Sequence, residues 1–252
     1  MCTLSWTLLG GAPGEGGYFL AFNRDERRTR AAGLAPRVIE QGGVRALAPI
    51  DGEAGGTWIA VNELGLSLSI LNGYRFQGAE PEASRTWTSR GRLVLELCDA
   101  ANLEELSRRI AAVRLQEYRP FELACFDSRG RAGLSTWDGR RLSFRELHAA
   151  DRPLVSSAFD DEGARGQRRA LFARSVTGRG GERELERFHA SHEPSRGAYS
   201  PCMHREDAHT VSFTRVRVTA QAVTLQTSPG SPCLAAPGVK QELQRRVYLR
   251  ST

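Results

Sequence analysis

Cys2 directly follows Met1, and downstream the chain offers a guanidinium and two carboxylates in Asn23-Arg24-Asp25-Glu26 and an amide at Asn72. A cysteine at position 2 is small enough for the methionine to be removed. The new first residue would then carry both a thiol and a free α-amine, a complete nucleophile and base. A free thiol titrates at about 8.5 and an α-amine at about 7.7–8.0, so a neutral amine or a neighbouring guanidinium can raise the thiolate fraction at neutral pH. The dipeptide is a weak signal by itself, because position 2 is equally the first residue of an edge strand and free cysteine equally a small buried hydrophobe.

Such chemistry needs rigid supports. Cys2, Leu4, Trp6 and Leu8 alternate with Thr3, Ser5 and Thr7, which predicts a strand over 2–8. The glycine-rich stretch 10–17 reads as a turn and 18–22 as the returning strand, carrying Asn23–Glu26 to its end. Residues 27–36 read as a surface loop. Residues 57–61 read as a strand, 62–65 as a tight turn and 66–71 as a further strand ending at Asn72, while Gly55-Gly56 implies positive φ or close backbone approach. Ser89 is placed to cap a helix through Leu93, Val94 and Leu97, and Asn102 with Glu105 makes a capping-box pattern before Leu103, Leu106 and Ile110. A second set of strands falls at 121–126, 133–137 and 142–144, with a short one at 154–158. Helices follow at 164–176 and 182–189, strands at 210–219 and 222–227, and a terminal helix or ragged strand at 238–249. Strands in runs, then helices in runs, argue for one α+β domain over residues 1–252 built on antiparallel sheets.

Composition excludes several functions. The 252 residues are 40% apolar, 25% charged and 8% aromatic, ordinary for a globular chain with a substantial core. No apolar run reaches membrane-spanning length, and 1–22 lack the basic start and apolar core of a signal peptide, so a cytoplasmic location is the default expectation. The net charge is +6, and all but one of the 35 basic residues are arginine, Lys240 being the exception. They are scattered with no aromatic-interleaved stripe, so nucleic acid is not an expected partner. Cys2, Cys98, Cys125, Cys202 and Cys233 are odd in number, with no CxxC pair and no histidine at zinc-ligand spacing from two of them. Reduced thiols and no metal site are expected.

Met1-Cys2, Asn23-Arg24-Asp25-Glu26, Gly55-Gly56-Thr57-Trp58 and Asn62-Glu63-x-Gly65 leading to Leu71-Asn72 together resemble the NRDE family, also called the transport-and-Golgi-organisation protein 2 family. Weaker landmarks are 154–158 and 202–212. That family is similar in turn to the cysteine N-terminal-nucleophile hydrolases, such as penicillin V acylases and bile salt hydrolases. The resemblance implies a four-layer αββα sandwich. It makes Cys2 the nucleophile, Asp25 the carboxylate orienting its α-amine, Asn72 an oxyanion donor and Arg24 a further member of the catalytic group. Asn23, Trp58, Ser157, Arg205 and His209 become substrate-binding candidates. The acylases carry an arginine three residues before the aspartate, where this chain has Phe22. A second family asparagine falls near Ser157, and the late arginine falls to Arg205 or is replaced by His209.

Two function classes follow. One is a hydrolase of a non-peptide amide or thioester with no required cofactor. The other is a haem or acyl-coenzyme-A/lipid binding and trafficking protein, in which Cys2, His204 or His209 would be candidate haem ligands. Either way the partner is a small molecule. Plainer readings remain for the parts: a solvated strand end for Arg24–Glu26, a turn residue at Asn72 before Gly73, structural roles for His204 and His209.

Overall fold

Alternation along the first two strands divides the molecule into layers. In β1 (Cys2–Leu9) and β2 (Gly17–Arg27), Leu4, Trp6, Tyr18, Leu20 and Phe22 share one face, while Thr3, Ser5, Phe19, Ala21 and Asn23 share the other. Both faces are buried. A strand buried on both sides must have a packed layer above and below it. The computed structural model, which describes residues 2–10, 16–76, 86–178, 180–234 and 236–246, supplies both.

The remaining strands are β3 (Leu34–Gln41), β4 (Val44–Ile50), β5 (Ile59–Asn62), β6 (Ser67–Asn72), β7 (Phe121–Phe126), β8 (Ala132–Trp137), β9 (Leu142–Glu146), β10 (Leu154–Ser156), β11 (Ala208–Val218), β12 (Ala222–Pro229) and β13 (Val239–Gln244). They form one six-stranded sheet, β10-β1-β2-β11-β12-β13, and one seven-stranded sheet, β3-β4-β5-β6-β7-β8-β9. The pairings are antiparallel. Leu4, Trp6, Leu20 and Phe22 meet Leu47, Ile59, Leu71 and Phe126 in a core between the sheets. Helices α1 (Arg90–Leu97) and α2 (Leu103–Ala111) cover the outer face of the second sheet through Leu93, Leu97, Leu106 and Ile110. Helices α3 (Asp161–Ser175) and α4 (Glu182–Ala190) cover the first through Leu171, Phe172, Leu185 and Phe188. The order is αββα.

The structure departs from local expectation in several places. The second strand does not stop at residue 22 but continues to Arg27, because β1 and β11 pair with Asn23 and Arg24 on either side. The loop expected over 27–36 gives way at Leu34 to β3, and the fifth strand begins at Ile59 instead of Thr57. The strand expected over 66–71, β6, lies in the opposite sheet, facing β1 across the core. The strands over 121–146 extend that same sheet. Ser89 makes no side-chain cap, whereas Asn102 Oδ1 accepts from the Glu105 N–H at 2.9 Å. Of the two readings offered for 238–249, helix or ragged strand, the structure has the strand; the part beyond residue 246 lies outside the described residues, as do 11–15 of the first turn.

Candidate active site

Cys2 opens β1 and is paired with Arg24 of β2 on one side and Ser156 of β10 on the other. Residues directly opposite in a ladder share a face, so thiol, guanidinium stem and hydroxyl form a row across three strands. Cys2 is 8% exposed, at the floor of a cleft of about 830 Å³ that Arg24, Asp25, Trp58, Asn72 and Arg205 also line. Burial pushes its thiol above the ordinary range; Asp25 adds to the rise and Arg24 opposes it.

Arg24 is held in place from the second sheet. Its guanidinium lies 4.5 Å from the Trp58 ring and donates to Asp51 at 2.8 Å. Asp51 also takes Arg30 at 3.0 Å and the N–H groups of Glu53 and Ala54, each at 3.0 Å. Burial alone would raise that carboxyl, but those N–H groups and the two cations outweigh it and hold it below its usual range. Trp58 reaches the cleft because Gly56 lets the chain press on α1: a Cβ there would collide with the Gly91 backbone, and Gly55 has φ +68°. Thr57 N–H donates to Gly91 O at 3.0 Å in the same contact. Trp58 Nε1 and Ser156 Oγ are buried without a hydrogen-bond partner among the described residues.

Asp25, one residue on, projects to the sheet's other face, as neighbours in a strand must. It still borders the cleft. Its carboxylate accepts from Thr210 Oγ1 at 2.7 Å and from Arg168 Nη1 at 3.3 Å. Arg168, from α3, is fully buried; it also donates to Thr3 Oγ1 and to the carbonyls of Ala198 at 3.1 Å and Tyr199 at 3.4 Å. Asn23 lies on this helix-facing side too, its amide donating to His189 O at 2.9 Å and Pro201 O at 2.8 Å. It anchors a loop and does not line the cleft.

Asn72 enters from the opposite sheet at the end of β6, half-buried, donating to Tyr74 Oη at 2.8 Å. One amide hydrogen remains for a group in the cleft. Arg205 lines the cleft, its guanidinium 4.7 Å from the Phe159 ring, while His209 does not line it. Ser157 is engaged in the turn before α3, its Oγ accepting from the N–H groups of Phe159 and Asp160, and it too lies outside the lining. Arg90 and Arg119 add two cations to the cleft that have no carboxylate partner among the described residues, Arg119 lying 5.9 Å from the Trp87 ring.

Arg168, Asp51, Ser156 and the cations Arg90 and Arg119 were invisible to motif reading. Asp51 belongs to none of the motifs, and Arg168 is one arginine among many on a helical stretch. A second cleft of about 850 Å³ opens at the far end of β1 around Leu8, Phe144 and Arg152, but it contains no cysteine. Size therefore does not single out the Cys2 cleft; its chemistry does. Elsewhere, the structure gathers His192, Cys202, His204 and Cys233, which the sequence spacing gave no reason to group. His204, a haem-ligand candidate, belongs to that cluster and is not in the cleft. Among the described residues that line the cleft there is no histidine.

The model of the family described as Transport and Golgi organisation 2 matches residues 1–162. No curated protein sequence matches the chain significantly. Among solved structures, penicillin V acylase from Agrobacterium tumefaciens is similar at 11% identity and a TM-score of 0.51, covering 90% of this chain and 82% of that one. A variant of conjugated bile acid hydrolase from Clostridium perfringens is similar at 11% identity and 0.51, covering 99% of both chains. At such identity the likeness concerns the fold: these are N-terminal-nucleophile hydrolases with the same αββα sandwich.

Proposed function

The chain belongs to the Transport and Golgi organisation 2 family, and from the cleft we propose that it is a cysteine N-terminal-nucleophile hydrolase of a small amide or thioester carrying negative charge. The observation that carries this reading is the position of Cys2, first in its strand, in the floor of a cleft with Asn72 facing it from the other sheet. With Met1 removed, the Cys2 α-amine takes the thiol proton as sulfur attacks the acyl carbon. The carbonyl oxygen gains charge and accepts a hydrogen bond from the second Asn72 N–H; Trp58 Nε1 is a second donor of the right kind. The ammonium returns its proton to the leaving amine or thiol, and water then cleaves the acyl–sulfur bond to give a carboxylic acid and restore the thiol. Asp25, fixed by Thr210 and Arg168, stabilises the ammonium form. Arg90 and Arg119 take the substrate's negative charge.

The test is acid-quenched mass mapping of the protein, isolated from its native host, after incubation with an acyl-coenzyme-A panel and p-nitrophenyl acyl esters. We expect a mature chain starting at Cys2, an acyl adduct on residue 2 and turnover that Cys2→Ala abolishes. Retention of Met1, or turnover untouched by Cys2→Ala, would defeat the mechanism.

One observation favours a second reading, a site that binds an acyl-coenzyme-A or lipid without cleaving it: burial pushes the Cys2 thiol up, away from the reactive thiolate. Stoichiometric binding that survives Cys2→Ala, with no acyl adduct, would select it.

A further inference from the structure

Four side chains the catalytic proposal does not use converge behind the first sheet. His192 follows α4, Cys202 and His204 lie in the irregular segment before β11, and Cys233 sits in a short turn after β12. His192 Nε2 lies 3.2 Å from His204 Nε2, Cys202 Sγ 3.4 Å from it and Cys233 Sγ 3.5 Å from it. All four ligand atoms fall within 4.8 Å of one another. Hydrogen bonding does not account for this grouping. Three polar atoms crowd one imidazole nitrogen, which carries either one hydrogen or one lone pair and so makes one good hydrogen bond. A cation at the centre satisfies all four atoms at once.

The geometry points to a structural metal site of the zinc class, with His192, Cys202, His204 and Cys233 as a closed Cys₂His₂ ligand set. A tetrahedral zinc has bonds of about 2.3 Å to sulfur and about 2.0–2.1 Å to nitrogen, which sets neighbouring ligand atoms roughly 3.3–3.8 Å apart. The distances of 3.2, 3.4 and 3.5 Å match that spacing. Two thiolates with two imidazoles favour zinc over the hard cations, which prefer oxygen. Binding replaces the two thiol protons, which leave to solvent, and involves no change of oxidation state. With four protein ligands no position is left for substrate, so the role is structural.

The site would staple residues 191–207, a run without helix or strand. That run supplies the Ala198 and Tyr199 carbonyls that hold Arg168, the Pro201 carbonyl that holds Asn23, and the Arg205 side chain in the cleft. Sequence reading missed it because 9, 1 and 28 residues separate successive ligands, unlike any paired zinc motif.

The test is elemental analysis of the full-length protein purified from zinc-replete medium without chelator, followed by cobalt(II) titration of the chelator-stripped wild type. We expect about one zinc per chain, as a single closed site requires. Cobalt should give the visible bands of a tetrahedral site with a sulfur-to-metal charge-transfer band. Cys202→Ser and Cys233→Ser should lose the metal, whereas Cys2→Ala should keep it. Hydrogen exchange over 191–207 should quicken on stripping. The cobalt titration needs no variant, so misfolding of the serine variants would not blunt the test. Metal-free protein that takes up neither zinc nor cobalt would overturn the proposal. A Cys202–Cys233 disulfide in freshly isolated protein would also overturn it, as would unchanged exchange over 191–207.

Discussion

Asn72 and His189 show how much a single side chain's surroundings decide. Asn72 is half-buried, sits at a strand end and shares one hydrogen with Tyr74, so truncating it disturbs little packing. If it holds the oxyanion, Asn72→Ala should slow acylation of Cys2 by about 10²–10³-fold. Alkylation of the Cys2 thiol, which needs no oxyanion, should be unchanged. Peptide mapping of both reactions on one sample checks this, and equal loss of the two would mean collapse of the cleft instead. His189 is fully buried, its Nε2 2.8 Å from Ser5 Oγ. Burial first, and then the cations Arg168 and Arg215, hold its pKa down to about 3. Between that value and about 6.5 the unfolded chain binds a proton that the folded chain refuses. Stability from this group is therefore complete above about 6.5 and is lost as pH falls, by about 1.4 kcal/mol per pH unit. Urea unfolding at pH 6.5 and 5 should differ by roughly 2 kcal/mol more in the wild type than in His189→Gln.

At the scale of elements, β2 and α3 are coupled by one buried ion pair. Arg168 and Asp25 are both fully buried, so neither charge is screened by water. Either single change breaks a buried ion pair, and Arg168→Met or Asp25→Asn alone should cost about 3–5 kcal/mol. The double variant should recover much of that, because both charges leave together. Denaturant midpoints of the four proteins measure the coupling; strict additivity would mean that the helix is held by its apolar face alone. This pair also explains a failure of pattern reading. Thr3 and Ser5 alternate with apolar residues as if facing water, yet both are buried and bonded to side chains from α3 and α4. Polar alternation reported a second buried layer with polar partners.

For the whole molecule, the two sheets pack so that the ends of β1 and β2 face the end of β6, and the cleft between them collects arginines from both. Arg90, which donates to Pro120 O at 3.0 Å, and Arg119 lack carboxylate partners among the described residues, so each keeps guanidinium N–H groups for an anion. For the substrate class proposed, KM should rise with ionic strength, since exposed charge pairs are screened within about 10 Å at 0.1 M salt. Arg119→Gln should raise KM at low salt and flatten that dependence with kcat little changed. Steady-state kinetics at two ionic strengths decides it, and an unaltered salt slope would remove Arg119 from substrate binding.

Local pattern was enough for much of this protein. Period-two alternation located β1 and β6, a turn signal bounded β7, the Asn102 cap started α2 where the structure has it, and Gly55-Gly56 marked a real close approach. The family and the αββα layering were legible because Met1-Cys2, Asn23–Glu26 and the Gly-Gly-Thr-Trp run keep their order along the chain. What tertiary structure alone decided is which distant residues share a space. The continuation of β2 through its charged residues depends on partners on both sides, one of them nearly two hundred residues later. Which arginine meets Asp25, whether Arg205 or His209 reaches the cleft, and the meeting of His192, Cys202, His204 and Cys233 depend on how helices and loops cross the sheets. Such crossings are set by packing of the complete core, to which residue types at short spacing carry no pointer.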